Sequence, residues 1–189
     1  MNTPFTESLD GALETFKSLR MLEPKIVEAS EIILACLKSG GKLLICGNGG
    51  SASDSSHIAT EFACRFTGDR RPYPAISLTS DGGLLSAIGN DYAFQEVFAR
   101  QVRAYGKAGD ILIALTTSGK SRNILSAIEE AKRIGMKTVV LLGKGGGFTK
   151  GAADIEIAVP GSITARIQEA HKFLLHTICE LVEPGLAKE

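Results

Sequence analysis

A short, uninterrupted apolar run that leads into a glycine- or hydroxyl-rich loop and then a helix occurs twice in this chain, and that unit constrains the fold more than any other feature. In the first copy Lys42-Leu43-Leu44-Ile45-Cys46 runs into Gly47-Asn48-Gly49-Gly50-Ser51. In the second, Ile111-Leu112-Ile113-Ala114-Leu115 runs into Thr116-Thr117-Ser118-Gly119-Lys120-Ser121, with a helix expected from about Asn123. A strand without apolar/polar alternation is buried on both faces, which is the condition of a parallel sheet covered by helices. Further strands are expected at Ala75–Leu78, Thr138–Leu142 and Ile155–Val159, and helices near 84–88, 94–105 and 164–182. The expected fold is α/β, a three-layer sandwich around a parallel sheet of about five strands.

Ahead of the first strand, residues 6–22 and 25–39 carry apolar side chains at helical spacing (Leu9, Leu13, Phe16, Leu19; Ile26, Ile32, Ile33, Leu37), with Pro24 suited to a helix start. A leading helix pair over 1–39 is expected to pack on the domain or on a neighbouring subunit. No linker or low-complexity segment interrupts the chain, and 189 residues with 44% hydrophobic content suit one domain spanning 1–189.

The 21 basic and 21 acidic side chains cancel, so the charge offers no broad field for nucleic acid or an anionic membrane, and any anion must be bound locally. No apolar stretch approaches the roughly 18 residues of a membrane span. Cys36, Cys46, Cys64 and Cys179 are scattered without a paired spacing, so reduced thiols and a cytoplasmic protein are expected.

Each loop supplies such a local anion site. The glycines of 47–50 permit a tight turn that leaves backbone N–H groups facing outward at the positive end of a helix dipole. The loop is neither a Walker A sequence nor GxGxxG, which disfavours a nucleotide. The hydroxyls of Thr116, Thr117, Ser118 and Ser121 stand at the C-terminal end of an expected strand, where parallel sheets place their ligands. Each loop by itself is also compatible with an ordinary turn, and Ser51 with Asp54 matches a helix-capping pattern.

The three histidines fall in two helical segments, His57 in SDSSHIATEFACRF and His171 with His176 in ARIQEAHKFLLHTICELVE. His57 and Glu61, four apart, project from one face of the helix that the first loop opens. Gln168 shares a face with His171 or Lys172, while His176 lies eight residues further on, roughly 12 Å of rise. Imidazole, carboxylate and amide oxygen can bind zinc, and the spacing leaves both a shared metal and metal-free acid–base chemistry open.

Together, CGNGGSASDSSHIATEF, Ile88-Gly89-Asn90-Asp91, TTSGKS and ARIQEAHKFLLH resemble, in order and over nearly the whole chain, the phosphoheptose isomerases of the sugar isomerase (SIS) domain superfamily. The resemblance implies conversion of D-sedoheptulose 7-phosphate to D-glycero-D-manno-heptose 7-phosphate through an enediol, the first step of bacterial heptose biosynthesis, by a zinc-binding homotetramer. It implies catalysis by Glu61 and His176 and a zinc set of His57, Glu61, Gln168 and His176. It assigns Asn48, Gly49, Gly50, Ser51, Glu61, Asn90, Asp91, Thr116, Thr117, Ser118, Ser121 and Gln168 to the substrate. Thr116 stands where the family often has Ser, and Ser53 where it often has Ala; neither change removes a hydroxyl. The rival reading is a non-catalytic SIS protein that binds a replication initiator, whose relatives typically lack the second catalytic histidine that is present here as His176. A sugar-phosphate-sensing module is a third, disfavoured by the lack of a basic DNA-binding helix pair.

Overall fold

The computed structural model describes residues 3–187. Five strands, β1 (Leu43–Gly47), β2 (Ala75–Ser77), β3 (Ile111–Thr116), β4 (Lys137–Leu142) and β5 (Ile155–Ala158), form one sheet in the order β2-β1-β3-β4-β5. Every pairing is parallel, with Leu43 opposite both Ala75 and Ile111, and Val139 opposite both Ile113 and Ile155. The helices are α1 (Pro4–Ser18), α2 (Glu23–Lys38), α3 (Gly50–Ala63), α4 (Gly82–Asp91), α5 (Ala99–Tyr105), α6 (Arg122–Arg133) and α7 (Thr164–Leu186). None is long and apolar enough to cross a membrane.

Side chains alternate across the strands, so each central strand feeds two cores. Leu43, Ile45, Ile111, Ile113, Leu115, Val139 and Leu141 pack against α2, α3 and α7. Leu44, Cys46, Leu112, Ala114, Val140 and Leu142 pack on the opposite side with residues of α5 and α6 and with Ile88 of α4. Burying each of these aliphatic side chains stabilises the fold by roughly 1.5–3 kcal/mol relative to exposure. The expected three-layer sandwich is thus the observed architecture.

Several boundaries differ from expectation. The segment expected as one helix over 94–105 is a single 3₁₀ turn at Phe94–Glu96 followed by α5. The first leading helix stops at Ser18, and Leu19–Leu22 tighten into a 3₁₀ turn that sinks Leu19 and Leu22 into the core. Glycine repetition also hid structure, because the 143–147 loop coils as 3₁₀ turns through Lys144–Thr149, with Gly145, Gly146 and Gly147 at positive φ. The leading pair packs on the rest of the chain: α2 lies along α7, and α1 meets α7 through Phe16 and Phe173, whose ring centroids are 5.2 Å apart. No described residue of α1 is buried, and Phe5, Leu9 and Leu13 stay exposed.

Strand order reverses at β1: the chain steps outward to β2, then returns past β1 to β3. At such a switch point the loops leaving two neighbouring strands diverge to opposite faces, and a crevice opens between them at the carboxyl ends. The loops that diverge here are the glycine loop after β1 and the hydroxyl loop after β3.

Candidate functional site

Gly49 starts the site. Its φ of 57° and ψ of −124° suit glycine, and this turn lets Ser51 and Ala52 donate back to the carbonyls of Asn48 and Gly49 at 3.1 and 3.0 Å. Helix α3 therefore begins at Gly50, one residue before Ser51. The alternative reading of Ser51 and Asp54 as a helix cap does not hold, because Ser51 is already inside the first turn and Asp54 turns to Lys172 of α7, 3.0 Å away.

In the second loop Thr116 Oγ1 accepts from the Gly119 amide at 3.1 Å, and Ser118 Oγ accepts from the Lys120 amide at 3.1 Å. Gly119 is pinned from the 3₁₀ segment after β4: Thr149 donates both its backbone N–H and its hydroxyl to the Gly119 carbonyl, at 3.1 and 2.9 Å. Thr117 and Ser118 are half-buried. Ser121 joins Asn48, Gly49, Phe94, Gln95, Arg122 and Asn123 around a cavity of ≈ 530 Å³ at the switch point.

Helices α3 and α7 pack side by side on the same face of the sheet, and matching turns of the two meet in order. The Gln168 amide lies against the Cα of Gly50, Lys172 pairs with Asp54, and His176 meets His57. Steps of seven and eight residues keep pace only if the helices run in the same direction. Ile58, Ala59 and Phe62 of α3 face the core, which leaves His57 and Glu61 on the flank toward α7.

His57 Nε2 lies 3.0 Å from His176 Nε2 and 3.1 Å from Glu61 Oε1, and the ligand atoms of all three residues fall within 4.8 Å of one another. Phe66 flanks the cluster, its ring centroid 6.0 Å from that of His176. Ligand atoms around a tetrahedral zinc with bonds of about 2.0–2.1 Å lie about 3.3 Å apart, so the spacing and the nitrogen/oxygen donor set fit this metal. Only one of the two facing imidazole nitrogens can donate to the other, and a cation would satisfy the lone pairs that a single shared proton cannot.

Gln168 stands apart from that cluster, about two turns of α3 away, with the Asp54–Lys172 pair between. Asn90 and Asp91 also stand elsewhere: they end α4 exposed, with Asn90 donating to Asp91 at 2.9 Å. Phe94 and Gln95, a few residues later, reach the crevice instead. His171 is buried and bonds to the Leu142 carbonyl through Nε2 at 3.0 Å, and burial pushes its imidazole pKa down. It is a core histidine outside the His57–Glu61–His176 cluster, with the Asp54 carboxylate near enough to act on it electrostatically.

The sequence marks Asn123, Asp54 and Lys172 only as a helix start, a capping residue and a neighbour of Gln168, and the structure gives each a partner that pattern does not indicate. Asn123 exchanges amide hydrogen bonds with Asn48 at 3.0 and 2.8 Å, across 75 positions of sequence. No local pattern marks that pair; only its position just past the second loop could have drawn attention to it.

A parallel five-stranded sheet with a polar crevice at its switch point, flanked by a histidine–carboxylate cluster, defines the class: residues 5–143 match the model of the SIS domain family. Among the similar proteins, a phosphoheptose isomerase from Campylobacter jejuni is 48% identical over 87% of this chain and 89% of its own. One from Geobacter metallireducens is 45% identical over 100% of both. The solved structure of a phosphoheptose isomerase from Francisella tularensis superposes with a TM-score of 0.88 at 40% identity, over 95% of this chain and 94% of that one. The chain belongs to the phosphoheptose isomerase family.

Proposed function

We infer that the protein is an aldose–ketose isomerase that interconverts D-sedoheptulose 7-phosphate and D-glycero-D-manno-heptose 7-phosphate. The observation that carries the reading beyond family membership is the convergence of Glu61 with His57 and His176. The replication-initiator alternative gives no reason for a carboxylate and two imidazoles to converge, with His57 3.1 Å from Glu61 and 3.0 Å from His176. The terminal phosphate takes the hydroxyls of Thr116, Thr117, Ser118 and Ser121, and the sugar takes Asn48, Gly49, Gly50 and Ser51. Gln168 closes over the loop from α7. Asn90 and Asp91, exposed at the end of α4, would join a site completed by another part of an assembly.

In the forward direction the Glu61 carboxylate takes a proton from C1 of the open-chain ketose, and the electron pair forms the C1–C2 double bond of a cis-enediol. His176 gives a proton to the C2 oxygen and removes the one on the C1 oxygen. Glu61 returns its proton to C2, which leaves the aldehyde at C1 and both side chains in their starting states. An imidazole suits the oxygen transfers because its ordinary pKa lies near neutrality.

His57, Glu61 and His176 would hold a zinc ion, with Gln168 joining only if its amide lifts off Gly50. The metal would supply positive charge beside the substrate oxygens as negative charge develops there. A homotetrameric, cytoplasmic enzyme acting as one domain completes the proposal. The exposed Phe5, Leu9 and Leu13 of α1 favour burial against another copy. Incubating the purified protein with sedoheptulose 7-phosphate tests the reading: the aldose product is expected, and its absence with or without added zinc would end it.

A further inference from the structure

Asn48 and Asn123 face each other across the switch point, one from each loop. Asn48 Nδ2 donates to Asn123 Oδ1 at 3.0 Å, and Asn123 Nδ2 donates to Asn48 Oδ1 at 2.8 Å. Such a reciprocal amide pair locks both partners, since turning one amide alone would set nitrogen against nitrogen and oxygen against oxygen. The two ends differ in exposure: Asn48 is half-buried on the cavity wall, whereas Asn123 is only 3% exposed. Asn123 also borders the cavity but shows little surface there, and its amide is engaged by Asn48.

The clasp also joins two otherwise separate pieces of the crevice. Asn123 is the second residue of α6, directly after Ser121 and Arg122, so it moves with the hydroxyl loop. Asn48 precedes the Gly49 turn and moves with the glycine loop. Both loops border the same ≈ 530 Å³ cavity. Each amide retains one N–H outside the pair, and the pair fixes which end of the Asn48 amide carries it.

We propose that Asn123 is a positioning residue: through Asn48 it fixes the polarity of the sugar-binding wall and holds that wall in register with the phosphate-binding loop. The proposal rests on the assignment of Asn48 to the sugar. A pair that acts on ground state and transition state alike changes KM and spares kcat. Both binding loops would behave as one rigid unit, preorganised before the substrate arrives.

Steady-state kinetics with sedoheptulose 7-phosphate on wild type, Asn48→Ala, Asn123→Ala and the double variant test this. Asn123→Ala is expected to raise KM about tenfold, the effect of one lost net hydrogen-bond interaction, while kcat changes less than threefold. The double variant is expected to be no worse than Asn48→Ala alone, the non-additivity of a coupled pair. If Asn123→Ala does not fold, Asn123→Asp keeps the shape but opposes Asn48 Oδ1 with an oxygen, and a raised KM is again expected. A wild-type KM in the folded Asn123 variant, with only a lowered melting temperature, would reduce the clasp to a structural tie and overturn the proposal. Losses that multiply in the double variant would overturn the route through Asn48. Wild-type KM values in both single variants would instead remove Asn48 from the sugar site, and the inference with it.

Discussion

At the loop end of the α3–α7 seam the polar groups are partnered within the protein: Gly50 lies under the Gln168 amide, Asn48 is clasped by Asn123, and Thr116 and Ser118 accept backbone N–H groups. Two to three turns further along α3, His57 is 44% exposed and turns toward Glu61 and His176 with lone pairs that no donor in the protein can satisfy together. Much of the first end is tied together within the protein, whereas the second calls for a proton or a cation. On the proposed reading, recognition belongs to the crevice and chemistry to the helix flank.

The sharpest way to break that division is at the flank. His176→Asn is expected to lower turnover by about 10²–10⁴-fold, the usual contribution of a general acid–base group, with KM and the circular dichroism spectrum nearly unchanged. A comparable rise in KM would place His176 in recognition. Metal removal comes next: thorough chelation is expected to cut turnover by at least tenfold and to lower the unfolding midpoint, since an ion held only by the folded chain stabilises it. Restoration by zinc, followed by metal analysis of the reloaded protein, checks it.

A substitution in the crevice should do the reverse. At Gly119 a Cβ would collide with the backbone of Gly146, and φ is 62°. Gly119→Ala is therefore expected to cost about 1–3 kcal/mol in chemical unfolding and to raise KM, with turnover less affected.

How legible these two ends were differs for a physical reason. The crevice announces itself locally, since uninterrupted apolar strands require a covered parallel sheet and the residues that follow them must lie at its carboxyl edge. The pairing of His57 with Glu61 is equally local, four residues apart on one helix. The approach of His176 is not: it depends on α3 and α7 packing in the same direction, which no segment specifies alone. The same long-range geometry set Gln168 over Gly50 and sent Asp54 to Lys172, neither of which a local pattern specifies. Nor does local pattern say that Leu19 and Leu22 should turn into the core, since that turn is set by where α2 meets α7.

The smallest expected effects lie away from both ends and concern acid stability. Hydrogen bonds from Arg133 and Arg103 hold the Glu130 carboxyl well below its ordinary value of 4.5, at about 2. The folded state therefore binds this proton less readily than the unfolded chain, so the stabilisation is complete above pH 4.5 and fades as pH falls toward 2. Both arginines are half-exposed or more, which screens the pair and keeps its contribution modest. His171 acts in the same sense at higher pH, because its lowered pKa makes the unfolded chain the better proton acceptor below 6.5. Urea midpoints are expected to fall on acidification from pH 7, with Glu130→Gln giving a shallower decline below pH 4.5.

The central claim is that Glu61, on the flank and outside the crevice, carries the proton between C1 and C2. Single-turnover conversion of sedoheptulose 7-phosphate by Glu61→Gln, measured beside wild type together with substrate affinity, tests it most directly. Loss of conversion by about 10²-fold or more with substrate still bound is the expected result, whereas conversion close to wild type in the folded variant would contradict the account.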